Sequence, residues 1–292
     1  MTQYQDLGFQ RYIAMFPTWR CNLHCPYCPY RQKPHHDVVD VYTGAAKITM
    51  TERPAHDWTQ FLAPLEHTLV DVCGGEPTLY PGIARVLESL HPSSRYAMTS
   101  NTTQLPTAFK LNPNTCYCWT ASYHPTATPP YGDLDFFIGV LHELRRYGFR
   151  RVACTIVYLP WKHTDTYVAE VQHRFHEEGI PLNWQPYVWH GYTWTPAQRA
   201  TAEQLMPTYW PDWDAHRPKR CDAGASAIAI NSDGHIYRCL STLTFGDPCL
   251  GDITAGWTPR TEPSPCRSPC VYTCDYWNNN VTYLDDAGTV DT

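Results

Sequence analysis

Between residues 10 and 205, apolar strand-like runs take turns with amphipathic helical stretches. That alternation restricts the chain to a mainly parallel α/β sheet, because parallel strands need helical crossovers between them. The strand-like runs are 12–17, 69–73, 96–100, 117–123, 152–158 and 183–188, and the helical stretches fall near 52–64, 82–90, 134–147 and 164–178. From Asp135 to Tyr147 the spacing of Phe136, Phe137, Val140, Leu141 and Leu144 predicts one apolar helix face, stopped by Gly148. A second helix starts at Thr164, with Val168, Val171 and Phe175 turned inward and Gly179 at its end. Sheets of this kind gather ligands at the carboxyl ends of their strands, so chemistry is sought there.

At 292 residues the chain suits one large domain or two moderate ones, and 43% hydrophobic residues suffice for a real core. A net charge of −6, with Arg and Lys only in short groups, argues against nucleic-acid binding. No secretory leader opens the chain, and no apolar run approaches the ~18 residues of a membrane span. A cytoplasmic, reducing setting follows, in which 13 cysteines favour metal ligation over disulfides.

Cys21-Asn-Leu-His-Cys25-Pro-Tyr-Cys28 puts three thiols on one short loop. Three cysteines on a four-iron cluster leave one iron open to bind and reduce a small molecule. Two plainer expectations compete. Cys25-Pro-Tyr-Cys28 also reads as a redox dithiol, and His24, His35 or His36 would complete a zinc site. A second motif, Val70-Asp71-Val72-Cys73-Gly74-Gly75-Glu76-Pro77, ends a short apolar strand in paired glycines. Such glycines permit close backbone approach to a ligand, or an ordinary strand-to-helix turn.

Taken together the two motifs resemble the radical S-adenosylmethionine (SAM) enzymes. The resemblance implies a partial (β/α)6 barrel, with Cys21, Cys25 and Cys28 holding a [4Fe–4S] cluster whose open iron binds SAM. One electron would cleave SAM to a 5′-deoxyadenosyl radical, supplied by a donor such as flavodoxin or ferredoxin. It further implies SAM contacts from Tyr27 near adenine, from Gly74, Gly75, Glu76 and Pro77 at the methionine amino group, and from Ser100 and Asn101 at the end of the third strand. His124, ending the fourth strand in Tyr123-His124-Pro125, is the candidate for substrate hydrogen bonding or proton transfer, with a structural role as its alternative. Gln185, Tyr187, Trp189 and His190 line the end of the sixth.

After the Pro- and Trp-rich stretch from Met206 to Arg220 the chain becomes cysteine-rich. Asn231-Ser-Asp-Gly234 between Ala227–Ile230 and Ile236-Tyr237 signals a hairpin that brings Cys221 toward Cys239. With Cys266, Cys270 and Cys274 this resembles the SPASM and twitch domains, which bind auxiliary [4Fe–4S] clusters. One such cluster on Cys221, Cys239 and two of the late three is implied, with a leftover cysteine or Cys249 available for a second; zinc is the alternative occupant. The organisation expected is a radical SAM core over 1–205 and an auxiliary-cluster domain over 206–292. Cys73, Cys116, Cys118 and Cys154 read as small buried residues.

The implied activity is hydrogen-atom abstraction from a small-molecule or peptide substrate, with the auxiliary cluster as electron acceptor. The cluster loop begins some twenty residues in, which favours a small molecule or a peptide carried by a separate partner. The competing expectation is a dithiol or zinc-binding protein without SAM chemistry.

Overall fold

The computed structural model describes residues 8–28, 37–39, 47–49, 51–187, 193–206, 219–221, 223–240, 248–262, 264–266 and 282–283, the backbone alone for 37–39, 47–49, 186, 219, 264–266 and 282–283. In chain order the elements are β1 (Arg11–Met15), β2 (Asp37–Val39), β3 (Lys47–Thr49), α1 (Ala55–Leu62), β4 (Thr68–Val72), α2 (Ile83–Glu88), β5 (Arg95–Ser100), α3 (Leu105–Ala108) and β6 (Cys116–Tyr123). There follow α4 (Leu134–Tyr147), β7 (Val152–Tyr158), α5 (Asp165–Glu177), β8 (Leu182–Pro186), α6 (Pro196–Leu205), β9 (Lys219–Cys221), β10 (Ala227–Ile230) and β11 (His235–Tyr237). The last are β12 (Gly251–Asp252), β13 (Gly256–Trp257), β14 (Ser264–Cys266) and β15 (Thr282–Tyr283).

All six expected strands form, and they pair in parallel in the order β1-β4-β5-β6-β7-β8. The architecture is the expected α/β partial barrel, with its sheet left open. On the other side of β1 the sheet continues through β10, again in parallel, and then antiparallel through β11, β12 and β13. The predicted hairpin is thus β10–β11, and it extends the barrel's own sheet.

The longer helices α4, α5 and α6 start where side chains satisfy their first free N–H groups. Asp133 accepts from the Phe136 amide at 2.8 Å at the head of α4, and Thr164 accepts from the Tyr167 amide at 3.2 Å at the head of α5. Gly148 ends α4 at φ +119, a conformation in which a Cβ would be strained. The expected face of α4 needs one correction. Phe136 is 41% exposed and Ile138 takes its place in the core. At 100° per residue Phe137, Ile138, Leu141 and Leu144 share the inward stripe, which leaves Phe136 on its border, edge-on to Tyr131. A reciprocal cap between Thr195 and Gln198 opens α6, a helix outside the expected set.

The two faces of the sheet differ in kind. Ile13, Met15, Val70, Val72, Met98, Trp119 and Ile156 alternate onto the outer face and pack with α1, α2, α4 and α5. The intervening residues Tyr12, Ala14, Leu69, Ala97, Ala227 and Ala229 form a separate inner cluster to which α1–α6 contribute nothing. On that inner side Asp71, Cys73, Thr99, Cys118, Thr120 and Ser122 are only half-buried. Of the four cysteines expected to be buried, Cys154 alone is; Cys73 and Cys118 keep partial exposure on the less covered inner face, and Cys116, the first residue of β6, packs on the outer core yet stays partly exposed. Among the described residues no helix is long and apolar enough to cross a membrane.

Candidate functional site

The loop after β1 is held by main-chain bonds on both sides. The Phe16 amide donates to the Ile230 carbonyl at 2.9 Å, which fixes the loop against β10. From the other side the amides of Cys73, Gly75 and Glu76 donate to the carbonyls of Met15, Thr18 and Arg20 at 3.0, 3.1 and 2.7 Å. The glycine pair is required by this approach. A Cβ on Gly75 would stand 2.3 Å from the Arg20 carbonyl oxygen and 2.5 Å from that of Trp19, and one on Gly74 would stand 2.6 Å from that of Thr18. The cysteine loop therefore lies directly on the Gly74–Gly75 ledge.

Side chains extend this contact. Arg20 grips Glu52 with two bonds of 2.6 and 2.9 Å, and Thr18 donates to the same carboxylate. Trp19 donates its indole N–H to Asn231 Oδ1 at 2.7 Å in the β10–β11 turn. Neighbouring Arg53 bonds Asp252 at 2.5 Å and the Asp233 carbonyl at 2.6 Å, so residues 52 and 53 link the cysteine loop to the carboxyl-terminal strands. Burial pushes the Asp252 carboxyl up, but bonds from Thr254 and Arg53 outweigh it and hold the group down at about 2.

Glu76 is fully buried and saturated within the protein. Its carboxylate accepts from the Thr78 amide at 3.1 Å, the Thr78 hydroxyl at 2.5 Å, Ser100 Oγ at 2.8 Å and the Asn101 amide at 2.6 Å. Burial pushes its pKa up against the pull of those four bonds. Pro77, also buried, begins the short 3-10 turn that follows. Asn101 in turn donates to Asn22 Oδ1 at 2.9 Å and lies 3.7 Å from Cys21 Sγ. Glu76, Ser100 and Asn101 thus form one network that reaches the first cysteine. What the ledge leaves for a ligand is glycine backbone.

Cys25 and Cys28 share a tight turn, the Cys28 amide donating to the Cys25 carbonyl at 3.1 Å. Burial, then the nearby thiols of Cys28 and Cys21, push Cys25 up to about 12. Burial is also the main cause that raises Cys21. Three soft donors on one loop fit an iron–sulfur cluster, whose binding would draw off their protons. Among the described residues no three His, Cys, Asp or Glu side chains stand together at metal-holding separation.

His124 faces this loop. Its Nδ1 is 2.8 Å from Tyr27 Oη and 3.4 Å from Cys25 Sγ, and the Tyr27 and His124 rings lie 24° from parallel. Burial lowers its pKa to about 4, so the imidazole is neutral at pH 7. Tyr27 is buried with Leu159 and Tyr187, and Trp161 meets Tyr187 edge-on at 4.5 Å.

In the carboxyl-terminal part Cys221 and Cys239 are buried together with Ala223, as the hairpin led one to expect, while Cys249 is exposed. Strand β14 runs antiparallel to β9, setting Ser264 opposite Cys221 and Cys266 opposite Lys219. Cys270, Cys274, His35, His36, Trp189 and His190 lie outside the described residues, as does most of the Met206–Arg220 stretch.

Sequence reading passed over Tyr12 and Asp71, whose side chains bond at 2.5 Å on the inner face. A signal was present, since Asp71 is a charge set inside the apolar run Leu69–Val72.

No protein-family model matches the chain, and no curated protein matches it. Among solved structures, native anSMEcpe with bound AdoMet matches over 85% of this chain and 79% of its own, with a TM-score of 0.57 and 17% identity. A likeness at that identity establishes a shared fold.

Proposed function

We propose that this chain is a radical SAM enzyme that takes a hydrogen atom from a small-molecule or peptide substrate. The observation that carries the reading is the seating of the cysteine loop on the Gly74–Gly75 ledge, where a Cβ at Gly75 would meet the Arg20 carbonyl at 2.3 Å. Two motifs far apart in sequence are thereby one site at the carboxyl ends of β1 and β4, on a fold shared with a protein solved with AdoMet. When bound, the [4Fe–4S] cluster and SAM supply an electron and a 5′-deoxyadenosyl radical.

The protein's part is to position. Cys21, Cys25 and Cys28 hold the cluster, and the Gly74–Gly75 backbone holds the amino group of SAM. Glu76 acts through Ser100 and Asn101, which steady Asn22 and Cys21. His124 and Tyr27 steady Cys25. Cys221, Cys239 and two of Cys266, Cys270 and Cys274 would hold an auxiliary cluster, which would supply an electron acceptor for the substrate, with a flavodoxin or ferredoxin as the electron donor.

The test is anaerobic reconstitution with iron and sulfide, reduction, addition of SAM and assay for 5′-deoxyadenosine. Product is expected, and the joint Ala variant of Cys21, Cys25 and Cys28 should lose it while keeping auxiliary iron. A reduced cluster that neither yields 5′-deoxyadenosine nor binds SAM in a titration overturns the reading.

A further inference from the structure

Asp71 sits in β4 with its side chain on the inner face, where the strand pairings set it between Ala14 of β1 and Ala97 of β5. Alanines bring no hydrogen-bond donor, so neither lateral neighbour can satisfy the carboxylate. Tyr12, diagonally below, donates to Oδ2 at 2.5 Å, and among the described residues it is the carboxylate's one hydrogen-bond donor. Burial pushes the Asp71 carboxyl up, against the pull of the Tyr12 bond. A half-buried carboxylate held by one neutral hydroxyl is incompletely satisfied by the protein and leaves room for a counter-charge. A local rule broken within a strand without compensation marks a place kept for something other than stability.

The surroundings of Asp71 are only partly covered. Cys73, Cys118 and Thr120, on the same face, remain partly exposed to solvent. The Asp71 charge reaches both thiols, raising Cys73 and Cys118 after burial as the first cause. Thr155 stands opposite Ser122 on this face; it is 6% exposed, and among the described residues its hydroxyl has no hydrogen-bond partner. The amino-terminal end of this face is covered by Phe9 edge-on to Tyr117, with the Arg151 guanidinium 4.6 Å over the Tyr117 ring. Asp71 stands one residue before the end of β4 and four before Gly75 of the ledge.

We propose that the inner face is a substrate chamber in which the Asp71 carboxylate, oriented by Tyr12, takes a cationic nitrogen of the substrate, an ammonium or guanidinium. That this occupant is a substrate rests on the radical SAM reading; that the chamber selects cations does not. A cation on Asp71 would supply the charge partner that the fold withholds and set the rest of the molecule pointing toward the glycine ledge.

Cys73 and Cys118 serve as built-in reporters. The reconstituted protein is treated with cationic, anionic and neutral methanethiosulfonates, and the labelling rate at each of the two cysteines is read by peptide mass spectrometry. Each rate is divided by that of the neutral methyl reagent, so that the acidity of the thiol cancels, and by the same ratio for free cysteine. A cation preference of about tenfold at Cys73, and a smaller one at Cys118, which stands two strands away and also feels Arg151, is expected in the wild type. It should fall to near one in Asp71→Asn and persist in Asp71→Glu and Tyr12→Phe. No labelling even by the neutral reagent, equal rates for both charges, or a preference unchanged in Asp71→Asn each overturns the proposal. Formation of 5′-deoxyadenosine without charge preference removes the chamber and leaves the enzyme. Charge preference without 5′-deoxyadenosine does the reverse.

Discussion

The outer and inner faces of the same six strands are built from alternate residues of one chain segment, yet they follow different rules. On the outer face Met15, Val72, Met98, Trp119 and Ile156 are fully buried against helices. Half a pleat away stand Asp71, Thr99, Thr120 and Ser122, polar and partly exposed. The outer side is where the strands gain their stability, through apolar area removed from water. The inner side keeps charge and hydroxyls that contribute little to holding the fold, beneath a loop that the same strands position. Such a division teaches that substitutions one residue apart should differ in what they damage.

The largest effect should come from the outer face. Trp119 is fully buried and packs on Phe149 at 4.8 Å between ring centroids. Trp119→Ala should cost about 3–5 kcal/mol in chemical denaturation. The adjacent inner-face change Thr120→Ala should stay within about 1 kcal/mol. Equal costs would erase the distinction between the faces.

Next is the ledge. Gly75→Ala forces a methyl group against two carbonyl oxygens of the main chain, neither of which can swing aside. Overpacking of this kind costs about 1–3 kcal/mol, less than the Trp119 truncation. The damage to function should be greater, because a displaced cysteine loop misplaces the reacting groups. Formation of 5′-deoxyadenosine should fall on the order of a hundredfold in a variant that still folds. Retained formation would mean that the ledge is only a turn.

His124→Phe should have a smaller effect. The ring is kept while Tyr27 and Cys25 lose a shared polar partner. One hydrogen bond is worth about 1 kcal/mol net, so 5′-deoxyadenosine formation should drop by roughly fivefold with bound iron unchanged. Complete loss would instead assign the imidazole to the chemistry.

Much of this plan was legible in the amino acids. The strands announce themselves because buried parallel strands are apolar runs, and the cysteine loop and glycine pair stand out by spacing. Helix starts at Asp133 and Thr164 follow from capping chemistry, and so would the start of α6, given Thr195 and Gln198. Contacts made by tertiary closure were not legible. The parallel pairing of β10 with β1 rests on four alternating alanines and isoleucines, Ala227–Ile230, that carry no mark of their partner. His124 meets Tyr27 across 97 positions, and local sequence cannot report which strand ends converge. Asp71 is the intermediate case. Its oddity inside an apolar run was visible, but its meaning depended on the neighbouring strands presenting alanines.

Asp71 also gives the smallest effect and the one that separates the faces most sharply, because removing its charge should stabilise the protein. Its pKa in the folded protein is raised above the ordinary carboxylate value by burial. The folded state therefore holds the proton more tightly than the unfolded state does. Stability from this group is fully present below the unfolded value near pH 4 and is lost as pH rises through the raised folded value. Asp71→Asn cannot titrate, and its amide oxygen still accepts from Tyr12. Glu76 titrates in the same direction but is common to both proteins, so it cancels in the difference. The variant should match the wild type in acid and become the more stable of the two at pH 8, with the higher Tm there. Thermal unfolding of the pair at several pH values checks this. A difference that stays flat with pH would mean that Asp71 is already compensated within the fold, and the inner face would then differ from the outer in polarity alone.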